Sequence, residues 1–135
     1  MWNTCEDCAG PLLARYALER GAVSLEEVLT RRPGQVRCHE VYPTRSGHET
    51  PSLGEGATPL VAGGRLATDI GLPLLFVKDE SQNPTLSFKA RGMAAAMARA
   101  KELGVSTVCL PSAGNAGGAA AAYGALHGIR VVVAI

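Results

Sequence analysis

Asn83-Pro84-Thr85-Leu86-Ser87-Phe88-Lys89-Ala90-Arg91-Gly92 begins as a polar turn and ends as a helix. Ser87 stands at the cap position, and helix formers fill the chain from Ser87 to Leu103, with Gly104 just past the end. Outward from this helix the pattern alternates. Leu72 to Lys78 is a short apolar run bounded by turn residues and reads as a strand. Thr107 to Leu110 is a second strand, stopped by Pro111, and Arg130 to Ile135 a third. Between these two lies Asn115 to His127, a second helix closed by Gly128. Strand–helix–strand–helix–strand predicts an α/β fold, a βαβαβ unit with three parallel strands and helices packed on the sheet.

Ahead of this unit is a small irregular head over 1–50, with the α/β part running from 51 to 135. The head contains one helical pattern, Leu25 to Leu29, where Ser24 and Glu27 fit a capping box. Tyr42 to Ser52 is rich in turn formers and reads as a linker. The final strand has no closing turn or helix, so an N-terminal part of a longer protein is expected. The 135 residues are 47% hydrophobic and 19% charged, a globular composition, and the formal net charge of +1 gives no reason to expect nucleic acid as partner. The first thirty residues lack the apolar core of a secretory signal. The most apolar stretch, Ala116 to Ile135, is interrupted by His127 and Arg130, which argues against a membrane span. Four cysteines in such a chain fit reduced thiols and a cytoplasmic setting better than a disulfide framework. Cys109, inside an apolar strand, is expected in the core, and Lys78-Asp79-Glu80 at a solvated strand end.

In a parallel sheet, ligands sit at the carboxyl ends of the strands. The turn before Lys89 follows the first strand, and Pro111-Ser112-Ala113-Gly114-Asn115-Ala116-Gly117 follows the second. Both helix N-termini should therefore face one crevice. A lysine in a first helical turn feels the positive end of the helix dipole, which favours its neutral, nucleophilic amine. Phe88 offers an apolar face beside it. The Ser112 to Gly117 turn presents backbone N–H groups at a helix start, where a carboxylate can be held. Taken singly, the lysine is an ordinary surface residue and the Ser-Ala-Gly-Asn turn an ordinary cap. Their joint order and spacing point to a site.

These two turns resemble the lysine and asparagine loops of the fold-type II pyridoxal phosphate enzymes, the tryptophan synthase β-like family. Leu53-Gly54-Glu55-Gly56-Ala57-Thr58-Pro59-Leu60 and Val77-Lys78-Asp79-Glu80 with Asn83-Pro84-Thr85 are similar to the lead-in of the threonine synthases within it. The resemblance runs from about Ser52 to Ile135. It implies a pyridoxal phosphate lyase that converts O-phosphohomoserine and water to threonine and phosphate. On the same ground, Lys89 would hold the cofactor as a Schiff base and then shuttle protons. Phe88 would lie against the pyridine ring, and Asn115 would bond the cofactor's phenolic oxygen. Ser112, Ala113 and Gly114 would grip the substrate carboxylate. A homodimer is expected by analogy, with a small amino-acid substrate as the partner molecule. The phosphate cup and the pyridine-nitrogen partner lie later in these enzymes, so these 135 residues alone are expected to be inactive.

Two departures bear on the substrate. Many threonine synthases have aspartate at the position of Ala90, and often a hydroxyl residue at that of Ala116. Both leave room for a threonine/serine dehydratase or a related β-replacement enzyme. Cys5-Glu6-Asp7-Cys8 resembles one knuckle of a zinc ribbon, but a closed zinc site needs four ligands. Cys38-His39 is the sole other candidate pair, so the expectation is a knuckle without metal. A redox use of this Cys-x-x-Cys would need a different fold context. Two further classes remain in view: a non-catalytic binding module that keeps the fold, and a nucleotide-binding unit using Gly114, Gly117 and Gly118. The spacing of the latter is not G-x-G-x-x-G.

Overall fold

A computed structural model describes residues 4–16, 18 and 23–135. The stretches of the head at 1–3, 17 and 19–22 lie outside the described residues. In chain order the regular elements are α1 (Leu25–Thr30), β1 (Leu60–Ala62), α2 (Gly64–Asp69), β2 (Phe76–Lys78), α3 (Lys89–Glu102), β3 (Thr107–Pro111), α4 (Asn115–His127) and β4 (Arg130–Ala134). Short 3-10 helices occupy Gln35–Val41, Gly47–Glu49 and Glu80–Gln82.

The helix–strand–helix–strand succession from Lys89 onward follows the expectation closely. β3 and β4 pair in parallel, from Thr107 opposite Arg130 to Pro111 opposite Ala134, with α4 as the crossover. Val108, Leu110 and Val131 turn toward the helices. The alternate residues Thr107, Cys109, Pro111, Val132 and Ala134 lie exposed on the other face. Cys109 is therefore not a core residue, because strand alternation sets it on the face that α3 and α4 do not cover.

The first strand departs from the expectation. β2 pairs antiparallel with β1, Leu60 opposite Lys78 and Ala62 opposite Phe76, rather than in parallel with β3. The front of the apolar run is taken up by turns: Leu72 N–H donates to Ala67 O, Leu75 N–H to Leu72 O, and Gly63 N–H to Leu75 O. Only three residues remain extended. β1 is close in sequence, and closing that short loop costs less chain entropy than reaching a distant strand.

α3 and α4 pack against each other, and their buried residues Ala90, Ala94, Met97, Ala120 and Tyr123 join Ile129 in one cluster. Small residues let the two helices come close. At Gly124 an added methyl would run into Val131 Cγ2 and stand 3.0 Å from Ile129 O, so α4 lies hard on β4. α3 ends at Glu102 with Leu103 as its cap, Gly104 turns the chain at φ +75°, and β3 begins at Thr107. So short a return makes α3 antiparallel to β3, as α4 is by its crossover. Both helices therefore start at the end of the sheet where β3 finishes.

The head rests on the outer side of α3, where Val36 and Tyr42 bury against Ala98. Glu102 at the end of α3 accepts the N–H groups of Arg45 and Ser46 at 2.7 and 3.0 Å. α1 forms where Ser24 caps it, its hydroxyl accepting Glu27 N–H at 3.1 Å.

Candidate functional site

Lys89 is the first residue of α3 and its side chain is exposed. Among the described residues its amine forms no hydrogen bond or ion pair; it lies over the ring of Phe88, 4.7 Å from the centroid. Phe88 is 59% exposed and is itself the residue preceding the helix. Ser87, expected at that position, sits one residue earlier. It still supplies the capping contact, its hydroxyl accepting Lys89 N–H at 3.3 Å. Leu86 adopts the left-handed region, φ +55°. The turn Leu86 N–H to Asn83 O, 2.8 Å, closes that bend, which costs a non-glycine residue about 1 kcal/mol.

The second turn is organised by Ser112. Its hydroxyl accepts Gly117 N–H at 2.9 Å and Gly114 N–H at 3.3 Å. Ser112 thus serves the helix start, and the N–H groups of Asn115 and Ala116 are left without an acceptor among the described residues, as a first helical turn requires. Gly117 lets α4 start close to β4: a methyl there would stand 3.1 Å from Val133 Cγ1, which would have to give way slightly. Ala113, Gly114 and Asn115 are exposed. No hydrogen bond joins Lys89 to Asn115 among the described residues. The fold brings together the helix ends that carry them.

The sequence reading missed the polar frame beneath the lysine turn. Glu80, expected at a solvated strand end, receives Arg91 on both carboxylate oxygens, from Nε and Nη2, each at 2.7 Å. It also accepts the Thr58 hydroxyl and the Asn83 amide, both at 2.9 Å. The Arg91 guanidinium, against partial burial and helped by Thr58 and Asn83, lowers the Glu80 carboxyl to about 2. Asn83, 1% exposed, accepts Gly56 N–H at 3.0 Å. Lys78 donates to both oxygens of Thr58. Glu55 is fully buried and accepts Ser52 Oγ, Leu53 N–H and Tyr123 Oη, at 2.9, 3.1 and 3.0 Å. A glutamate between glycines and a glutamate three residues before an asparagine carry no periodic signal, and only their distant partners explain them.

A ring-bearing aldehyde phosphate such as pyridoxal phosphate fits this donor set. Among the described residues the amine forms no hydrogen bond or ion pair, an aromatic face adjoins it, and an asparagine with spare helix N–H groups starts the neighbouring helix. The Cys5–Cys8 turn is a tight knuckle in which Cys5 N–H donates to Gly10 O at 2.8 Å and Ala9 N–H to Cys5 O at 3.0 Å. Its cysteines are free, and no group of three or more metal-ligating side chains occurs among the described residues.

The model of the pyridoxal-phosphate dependent enzyme family matches residues 51–135. The chain belongs to that family. The threonine synthase of Methanosarcina acetivorans is 41% identical over 130 residues, which are 96% of this chain and 32% of that protein. The threonine synthase of Methanocaldococcus jannaschii is 41% identical over 132 residues, with the same shares. That of Halalkalibacterium halodurans is 51% identical over 89 residues, 64% of this chain and 25% of its own. The chain thus spans about a third of the length of the first two relatives. No helix among the described residues is long and apolar enough to cross a membrane.

Proposed function

We propose that the protein is a pyridoxal phosphate-dependent carbon–oxygen lyase of threonine biosynthesis, converting O-phosphohomoserine and water to threonine and phosphate. The observation that carries the reading is the Lys89 amine at the start of α3, without a hydrogen bond or ion pair among the described residues, at the end of the sheet where α4 also starts, in a chain similar to threonine synthases over 96% of its length. When bound, pyridoxal phosphate supplies an electron sink for carbanions at the substrate amino acid. Lys89 Nζ would hold the cofactor and serve as the base that takes and returns protons at the substrate. Phe88 would lie against the pyridine ring. Asn115 would donate its side-chain N–H to the phenolic oxygen and so orient the ring. The Ser112–Gly114 turn, steadied by the Ser112 hydroxyl, would hold the substrate carboxylate with the N–H groups at the start of α4. The setting is cytoplasmic, and the assembly a homodimer.

Borohydride reduction of the natural protein with its cofactor, followed by peptide mapping, should leave a phosphopyridoxyl group on Lys89, and Lys89→Ala should abolish it. Phosphate release from O-phosphohomoserine then tests the substrate. An adduct on another lysine would refute the role of Lys89, and an adduct without phosphate release would refute the substrate.

A further inference from the structure

The segment Glu55 to Thr58 is bonded to α3, to α4 and to the turn before Lys89. Glu55 takes the Tyr123 hydroxyl, two turns along α4 from Asn115. Its backbone carbonyl accepts Gln35 N–H at 2.8 Å, and Gln35 Nε2 donates to Arg91 O of α3 at 3.0 Å. Gly56 N–H bonds Asn83 in the lysine turn. Thr58 Oγ1 bonds Glu80, which holds Arg91 two residues beyond Lys89. The strap has no slack. Gly56 sits at φ +85°, and a methyl there would stand 2.8 Å from Arg91 Nη1 and 2.9 Å from Gln35 N.

We propose that the Glu55–Thr58 strap is a positioning device that sets Lys89 against the Asn115 turn, with the Thr58 hydroxyl as the contact that fixes the lysine turn. The inference rests on the reading of Lys89 as the cofactor-bearing residue. Thr58 touches neither cofactor nor substrate. It acts through Glu80, whose carboxylate would keep only Arg91 and Asn83 without it and leave the start of α3 less defined. A misplacement of about 1 Å at a reacting group costs roughly a hundredfold in rate, so even a slight loosening is measurable.

The test compares Thr58→Val, which keeps the shape and removes the hydroxyl, with Thr58→Ser, which keeps the hydroxyl, both in the natural protein. Two readouts are taken under conditions where urea unfolding shows each variant folded. The first is amide hydrogen exchange over residues 80–92 without cofactor. The second is the rate at which added pyridoxal phosphate is fixed on Lys89 by borohydride. Thr58→Val should speed exchange in that segment roughly tenfold, the change expected when a hydrogen bond to a charged group is lost, and slow labelling by a similar factor. Thr58→Ser should restore both. Faster exchange with unchanged labelling would overturn the inference and leave the strap a packing feature. Unchanged exchange would overturn it as well. Absence of labelling in the unsubstituted protein would instead refute the role of Lys89, and the positioning role with it, whatever the exchange shows.

Discussion

Replacing Arg91 by methionine and Glu80 by glutamine, singly and together, isolates the ion pair beneath the lysine turn. Both side chains are only partly covered, 35% and 27% exposed, and both hydrogen bonds of the pair are 2.7 Å long. A Glu80 carboxyl held at about 2 against an ordinary 4.5 would cap its contribution at about 3 kcal/mol, taking about 1.4 kcal/mol per tenfold. Solvent screening of a partly exposed pair lowers that figure, and Thr58 and Asn83 account for part of the shift. The expected coupling energy is therefore about 1 to 2 kcal/mol. The sign with pH is fixed: a carboxyl lowered by folding stabilises above its unfolded value. That stabilisation fades as the pH falls from about 4.5 to about 2. Urea unfolding of the four proteins at pH 7, repeated stepwise to pH 3, reads both quantities. Arg91→Met should flatten the acid loss relative to the unsubstituted protein. A coupling below about 0.3 kcal/mol at pH 7, within the additivity of independent sites, would show that the pair does not anchor the turn.

Close packing and a buried carboxylate set three further outcomes. Gly56→Ala combines a left-handed backbone with contacts at 2.8 and 2.9 Å and should cost about 3 kcal/mol in urea unfolding; a loss under about 1 kcal/mol would mean the strap can shift. Gly124→Ala should cost about 2 kcal/mol by overpacking against Val131 and Ile129, read as a lower thermal midpoint, and an unchanged midpoint would contradict the close seating of α4. Tyr123→Phe removes the hydroxyl that the buried Glu55 accepts and should cost about 1 to 2 kcal/mol, whereas a stabilised variant would show that Glu55 needs no such partner.

Residues near one another in the chain were enough to specify the elements from Lys89 onward and the exposed residues at the two helix starts. These depend on local rules: caps, glycine stops, and the alternation of strand and helix. The small head helix is specified in the same way, since Ser24 and Glu27 act within one turn. Tertiary structure decided everything that needed a partner far along the chain. β2 turned to β1 because its run was shortened by turns that only the folded loop reveals. Cys109 faced outward because sheet alternation, not local hydrophobicity, assigns sides. Glu80 became the seat of Arg91 and Thr58, and Glu55 a buried acceptor for Tyr123, across 68 residues of chain. A charged residue's burial depends on what arrives opposite it, and that is set by packing rather than by its neighbours in sequence.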